Sequence, residues 1–318
     1  MFVPLTPLDY KRRAVKNFGD KVGVVDGDRR FTYREFGERA DRLAGAIRGL
    51  DVAAGERVAF ISYNTHHLLE AYYGVLQARC VLAPVNIRLA PQEIADVLDH
   101  SGASVLCYHR DFQALVDEVR PRLRALRHLI VIEGDDPEAH QYEALLARAT
   151  PDPGPDIREV DEQEVCELFY TSGTTGRPKG VALTHRSLAL HALHFCVTLR
   201  LSDADKILHV VPLFHVNGWG TPQALTAVGG THVMLRKVDA RDILRLIERE
   251  RITILLGVPT IYNMLVNEPT VGTFDLTSAG FDRNPPSVPS TKKSGPFALV
   301  GANVAAFSVM PSALPSST

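Results

Sequence analysis

The feature that most constrains this chain is the alternation of strand and helix signals along its first 110 residues. Residues 22–25 are an apolar run, Asp26-Gly27 supplies a turn, and residues 30–32 return, which predicts a short hairpin. Thr32 stands three residues before Glu35, the spacing of a capping box. Phe36, Ala40, Leu43, Ala44 and Ile47 then recur on one helical face. A compact apolar run at 57–62 predicts a buried strand, followed by a helix over 66–77 and a second strand over 80–85. Pro91 suits the first turn of another helix, which Gly102 should end before a strand at 104–108. Strands separated by helices of this length are βαβ units, and the sheet they build is parallel and covered on both faces. The expected fold class is therefore α/β, with two lobes of mainly parallel β-sheet flanked by helices.

The division into lobes is read from residues 150–156, Thr-Pro-Asp-Pro-Gly-Pro-Asp, where three prolines in seven residues exclude regular structure. An N-terminal α/β lobe is expected over 1–150 and a second over 151–280. The second should open with a strand at 165–170 and a loop to Gly180, then a helix from about Ser187. A further βα pair places Ile243, Leu246 and Ile247 on one face of a helix over 239–250, ahead of a strand at 252–256. Past Phe281 the character changes. Residues 281–318 hold six prolines and seven serines, no glutamate and no helical periodicity, which predicts an irregular tail of unrelated or frameshifted sequence.

Composition excludes several function classes. Lys plus Arg is 35 against 37 Asp plus Glu, a net charge of −2, so no basic excess exists to bind a nucleic-acid backbone. Cys80, Cys107, Cys166 and Cys196 include no C-x-x-C pair, so they predict reduced cysteines in a cytoplasmic protein rather than a zinc site or disulfide framework. No basic region followed by an apolar stretch marks a signal peptide, and no apolar run is long enough to span a bilayer.

The chemistry is concentrated in residues 170–180, Tyr-Thr-Ser-Gly-Thr-Thr-Gly-Arg-Pro-Lys-Gly. Four Ser and Thr hydroxyls, three glycines and a lysine follow directly on an apolar strand. Glycines let backbone N–H groups approach a ligand, the hydroxyls add donors, and Lys179 adds a full positive charge, so the stretch reads as an anion cradle. It is not a Walker loop, because Arg177 and Pro178 separate Gly176 from Lys179. Nor is it a dinucleotide fingerprint, since Gly173 and Gly176 lack the third glycine.

This stretch resembles the phosphate-loop signature of the adenylate-forming acyl-CoA synthetases, the AMP-dependent synthetases and ligases. Residues 212–218, Pro-Leu-Phe-His-Val-Asn-Gly, are similar to that family's second core motif, and residues 74–86 to its N-terminal lobe motif. Residues 31–36 and 257–260 resemble its early helix start and its strand beside the acyl pocket. The resemblance implies that ATP activates a carboxylic acid to an acyl-adenylate, from which coenzyme A thiol displaces AMP. By the same resemblance Thr171, Ser172, Gly173, Thr174, Thr175, Gly176 and Lys179 would hold the β- and γ-phosphates, and Thr171 would also help hold Mg2+. His215 would orient the carboxylate and the α-phosphate. Val216 and Trp219 would face the acid, with Trp219 gating a hydrophobic tunnel as in the medium- and long-chain fatty-acid branch.

The chain departs from the family after residue 278. The adenine-contacting Gly-Gly-Ala-Pro-like segment, the Tyr-Gly-x-Thr-Glu motif, the ribose-binding aspartate and the small domain with its catalytic lysine do not appear in the sequence. The chain is accordingly expected not to complete the reaction alone, and residues 252–256 are expected to be poorly covered. Two alternatives stay open, a ligase for an aromatic or other acid and a non-catalytic nucleotide- or partner-binding remnant. A homodimer through the N-terminal lobe is compatible with the sequence, which does not itself show one.

Overall fold

The computed structural model describes residues 3–171 and 178–279. The chain opens with α1 (Pro7–Phe18), whose N-terminus is capped by the Thr6 side chain accepting from the Leu8 N–H. The predicted hairpin follows as β1 (Val22–Asp26) and β2 (Arg29–Thr32), turning at Gly27 with φ +63°. Thr32 then caps α2 (Tyr33–Gly49) reciprocally with Glu35, as its spacing predicts. The βαβ series continues as β3 (Arg57–Ile61), α3 (His66–Gln77), β4 (Val81–Pro84), α4 (Pro91–Ser101) and β5 (Ala103–His109). Gly102 closes α4 in the left-handed conformation. Then come α5 (Gln113–Val119), β6 (His128–Ile132), β7 (His140–Gln141) and α6 (Tyr142–Arg148).

Beyond the proline-rich segment lie β8 (Val165–Thr171), β9 (Lys179–Thr184), α7 (His185–Leu199), β10 (Lys206–His209) and α8 (Thr221–Val228). The described part ends with β11 (Thr231–Met234), α9 (Ala240–Glu250), β12 (Ile254–Leu255) and α10 (Pro259–Val266).

Two mainly parallel sheets result. One runs β7-β6-β5-β3-β4-β8-β9 and the other β12-β10-β11-β1-β2, and each ends in a single antiparallel pair, β8–β9 and β1–β2. Both sheets draw strands from before and after residue 150. The joins lie at two strands: β1, paired with β2 on one side, pairs with β11 on the other, and β4 pairs with β8.

The 150–156 segment is a strap rather than a loose connection. The Asp152 N–H donates to the Asp41 carbonyl at 2.8 Å, Gln77 donates to the Asp152 carbonyl at 2.8 Å, and Arg48 pairs with the Asp152 carboxylate at 2.6 Å. A side chain at Gly45 would overlap the Thr150 carbonyl, so α2 needs glycine there for the strap to lie flat.

Every residue of α3 is buried, apolar and polar alike, which makes it the central helix of the molecule. Within 252–256, Ile252, Leu255 and Leu256 are covered, contrary to expectation, while Thr253 and Ile254 stay half-buried. Ile252, Leu255 and Leu256 are 0%, 5% and 4% exposed, and the first two share a core with Ile243, Ile247 and Leu265 from α9 and α10.

Candidate functional site

The stretch 170–180 is a β-hairpin connection, not the strand–loop–helix connection expected. Thr171 ends β8, Lys179 begins β9, and the two residues stand opposite one another in the antiparallel register. β9 escaped sequence analysis because it is an edge strand with no buried–exposed alternation. Thr171 and Lys179 are both exposed. Ser172, Gly173, Thr174, Thr175 and Gly176 lie outside the described residues. At the base of the hairpin the Tyr170 hydroxyl lies 2.8 Å from His100 Nδ1 of α4. Because β8 runs parallel to β4, Thr171 sits at the carboxyl end of a parallel strand, where open α/β sheets bind ligands.

The segment 209–223 is positioned quite differently. Asn64, just past β3, donates to the His209 and Val211 carbonyls at 2.8 and 3.0 Å and accepts from the Leu213 N–H at 2.8 Å. Tyr72 and Tyr73 of α3 donate to the Leu213 and Pro222 carbonyls at 2.7 and 3.2 Å. These clamps tie the end of β10, which belongs to the five-stranded sheet, to elements packed on the seven-stranded one.

Between them the backbone makes a left-handed turn. Asn217, Gly218, Trp219 and Gly220 have φ of 52°, 50°, 60° and 73°. Glycine tolerates this region and asparagine enters it readily, whereas a bulky aromatic does so at a cost of about 1–2 kcal/mol. Such strain persists only where surrounding contacts over-determine it, and it concentrates at functional sites. Gly220 packs under the His191 ring, which leaves no room for a side chain.

His215 enters this turn extended, its N–H bonded to the Pro212 carbonyl at 3.0 Å, with its ring exposed. Partial burial and the charge of Arg88, in the loop after β4, both lower its pKa, so the imidazole is neutral at pH 7. Trp219 is half-buried. Val216 belongs to the same turn, and its side chain lies outside the described residues.

Three site features were missed in the sequence: Asn64, Arg88 and Glu167. Glu167 lies inside β8 and is 0% exposed, taking 2.8 and 2.9 Å hydrogen bonds from Asn217 Nδ2 and Gln223 Nε2. Burial pushes its carboxyl up to about 8. The signal was available, since an acid stands between Cys166 and Leu168 in an otherwise apolar strand. Beneath the turn runs a chain of buried polar groups. Thr221 meets His209 at 3.3 Å, His209 meets His232 at 3.0 Å, and His232 meets Thr226 at 3.0 Å. Burial lowers both imidazole pKa values, that of His209 to about 3.

Among the described residues, one group has metal-ligand proximity, His66, His67 and Glu143. The two ring centroids lie 3.7 Å apart with their planes tilted by 36°, and Arg39 already grips Glu143 with two hydrogen bonds. His66 and His67 begin α3, as the sequence predicts. His191 and His194 lie on the exposed face of α7. All four cysteines are free thiols, and Cys80, Cys107 and Cys166 are buried.

These features define the class, an α/β chain of two mainly parallel sheets with its chemistry-bearing connections at the carboxyl ends of strands. The chain belongs to the AMP-binding enzyme family, whose pattern matches residues 11–293. It is 38% identical over 267 residues to a long-chain-fatty-acid–CoA ligase of Thermus thermophilus, which covers 81% of this chain and 48% of the relative. It is 34% identical over 278 residues to a peroxisomal benzoate–CoA ligase of Arabidopsis thaliana, covering 83% of this chain and 48% of that one.

Among solved structures, the anthranilate CoA ligase AuaEII with anthranoyl-AMP superposes with a TM-score of 0.81 at 25% identity, covering 87% of this chain and 54% of that one. The N-terminal domain of FACL13 from Mycobacterium tuberculosis gives 0.79 at 27% identity, covering 86% and 68%. The chain spans about half the length of the curated relatives it matches. Among the described residues no helix is long and apolar enough to cross a membrane.

Proposed function

We propose that this chain supplies the ATP-phosphate cradle and the acid-facing turn of an acid–thiol ligase. The ligase activates a carboxylic acid to an acyl-adenylate and passes the acyl group to coenzyme A. The observation that carries this reading is the register of the hairpin. Thr171 faces Lys179 across its neck, so the hydroxyl- and glycine-rich residues between them are bounded by one hydroxyl and one ammonium group. That donor set suits a polyphosphate. Mg2+, when bound with ATP, would neutralise phosphate charge there, and Thr171 offers it a hydroxyl oxygen.

Neutral His215, with the cationic Arg88 close by, suits the approach of a carboxylate to a phosphate. It can donate a hydrogen bond without titrating at neutral pH, and the guanidinium offsets the meeting of two anions. Trp219 in the turn supports a fatty acid of medium or long chain as the substrate, which Val216 would also face. Cytoplasmic residence, in keeping with four free thiols, and a homodimer through the N-terminal lobe belong to the same proposal.

The test is a melting assay with ATP and magnesium. The wild-type chain should be stabilised, by about 2.7 kcal/mol at a hundredfold excess over Kd. Lys179→Ala should melt like wild type without ATP and lose most of the shift with it. Absence of any ATP-dependent shift in the wild type overturns the reading.

A further inference from the structure

Glu167 has no part in the phosphate cradle, and its surroundings assign it another task. It is fully buried in β8 and touches the first residue of the left-handed turn through Asn217. Its second oxygen accepts from Gln223 on α8, just past the turn. One carboxyl group thus spans both flanks of the strained segment that carries Trp219. Among the described residues no cationic side chain pairs with it. Its titratable neighbours are Tyr72 and Tyr73 of α3, which stay neutral at ordinary pH, and Cys166, a buried thiol. A charge in this place would be uncompensated.

Asn217 and Gln223 donate to the two carboxyl oxygens, Gln223 Nε2 also lies 3.4 Å from Asn217 Oδ1, and Gln223 Oε1 is buried with no partner among the described residues.

We propose that Glu167, in its protonated form, is the positioning residue that holds residues 217–220 in their left-handed conformation and so fixes where His215 and Trp219 stand. Loss of the proton leaves a buried charge held only by the Asn217 and Gln223 amides, draws in water and releases the turn. The purpose of the clamp rests on the function proposed above; the clamp itself does not. The midpoint of the release lies in the mildly alkaline range, since burial pushes this carboxyl up to about 8.

Trp219, the single tryptophan of the chain, reports on the turn directly. Its emission in the full chain should change reversibly between pH 7 and 9.5 while the far-ultraviolet circular dichroism stays constant. Glu167→Gln, which keeps the shape and cannot ionise, should show the neutral-pH emission throughout. An unhydrolysable acyl-adenylate analogue should bind the wild type progressively more weakly above the midpoint, by about tenfold per pH unit as the protonated fraction falls. It should bind Glu167→Gln equally at both ends of the range.

A wild type whose emission is flat over this range overturns the proposal, as does a Glu167→Gln chain that keeps the wild-type transition. A Glu167→Gln chain that fails to fold also overturns it, because a neutral isostere should replace a neutral acid. An emission transition confined to the wild type, with no binding of the analogue at any pH, leaves the clamp standing and sinks the functional reading instead.

Discussion

The two chemistry-bearing connections of this molecule are built on opposite principles. The hairpin connection at 170–180 presents exposed Thr171 and Lys179 at its neck and takes its position from two strands and their register. The segment 209–223 is gripped from several sides, by Asn64, Tyr72, Tyr73 and Glu167, and contains four consecutive left-handed residues. In the proposed function the first is a cradle for a flexible, highly charged ligand, which works through donor number and charge rather than through a fixed backbone. A turn that must hold one histidine and one tryptophan in place needs its backbone fixed beforehand, and buried hydrogen bonds offset the strain.

If that contrast is right, substitutions in the turn should cost stability and substitutions in the cradle should cost binding. The largest effect is expected from Asn64→Ala. It leaves the Leu213 N–H and two carbonyls without their partner inside the molecule, for a loss of about 3 kcal/mol read from the urea midpoint at constant slope. A loss under about 1 kcal/mol would mean that the two sheets hold the segment without Asn64.

Acid should act next through the histidines beneath the turn. His209 and His232 have folded pKa values below the usual 6.5, so above that value both states are neutral and nothing is lost. As pH falls below 6.5 the unfolded chain takes up protons that the folded one refuses, and stability declines by up to about 1.4 kcal/mol per pH unit for each group. Urea midpoints between pH 7 and 5.5 should fall with this slope. His209→Asn should show a shallower fall, and an unchanged slope there would remove His209 from the account.

A smaller loss is expected from Gly220→Ala. It puts a Cβ on a residue at φ +73° and against the His191 ring, for about 1 kcal/mol by thermal melting. The smallest effect is that of Lys179→Ala on the chain without ligand, within about 0.5 kcal/mol, because an exposed strand-end lysine supports little of the fold. A large loss there would erase the contrast between the two connections.

Much of the scaffold was legible beforehand. The helix at 66–77 and the capping box at Thr32 and Glu35 follow from apolar periodicity and cap chemistry, which are local properties. Gly102 closes its helix for the same kind of reason. β9 was not legible, because an edge strand needs no alternation to pair. The covering of Ile252 and Leu255 was not legible either, since it comes from α9 and α10 folding back over them.

The site divides the same way. Thr171 and Lys179 announce themselves by composition, as runs of hydroxyls, glycines and a cation do anywhere in a chain. Asn64, Arg88 and Glu167 are single polar residues whose partners lie far along the sequence: Asn64 and Leu213 are 149 residues apart.

The sequence by itself determined most of the elements, the α/β class and the hydroxyl- and glycine-rich composition of the 170–180 connection, because these rest on interactions within a few residues or on residue type alone. The tertiary structure decided which strands share a sheet. It also decided that the strap at 150–156 is pinned down, and that a buried acid and a strained tryptophan meet at one turn. Those outcomes depend on which open edges and buried polar groups find partners when distant parts of the chain close on each other. No local pattern encodes that choice.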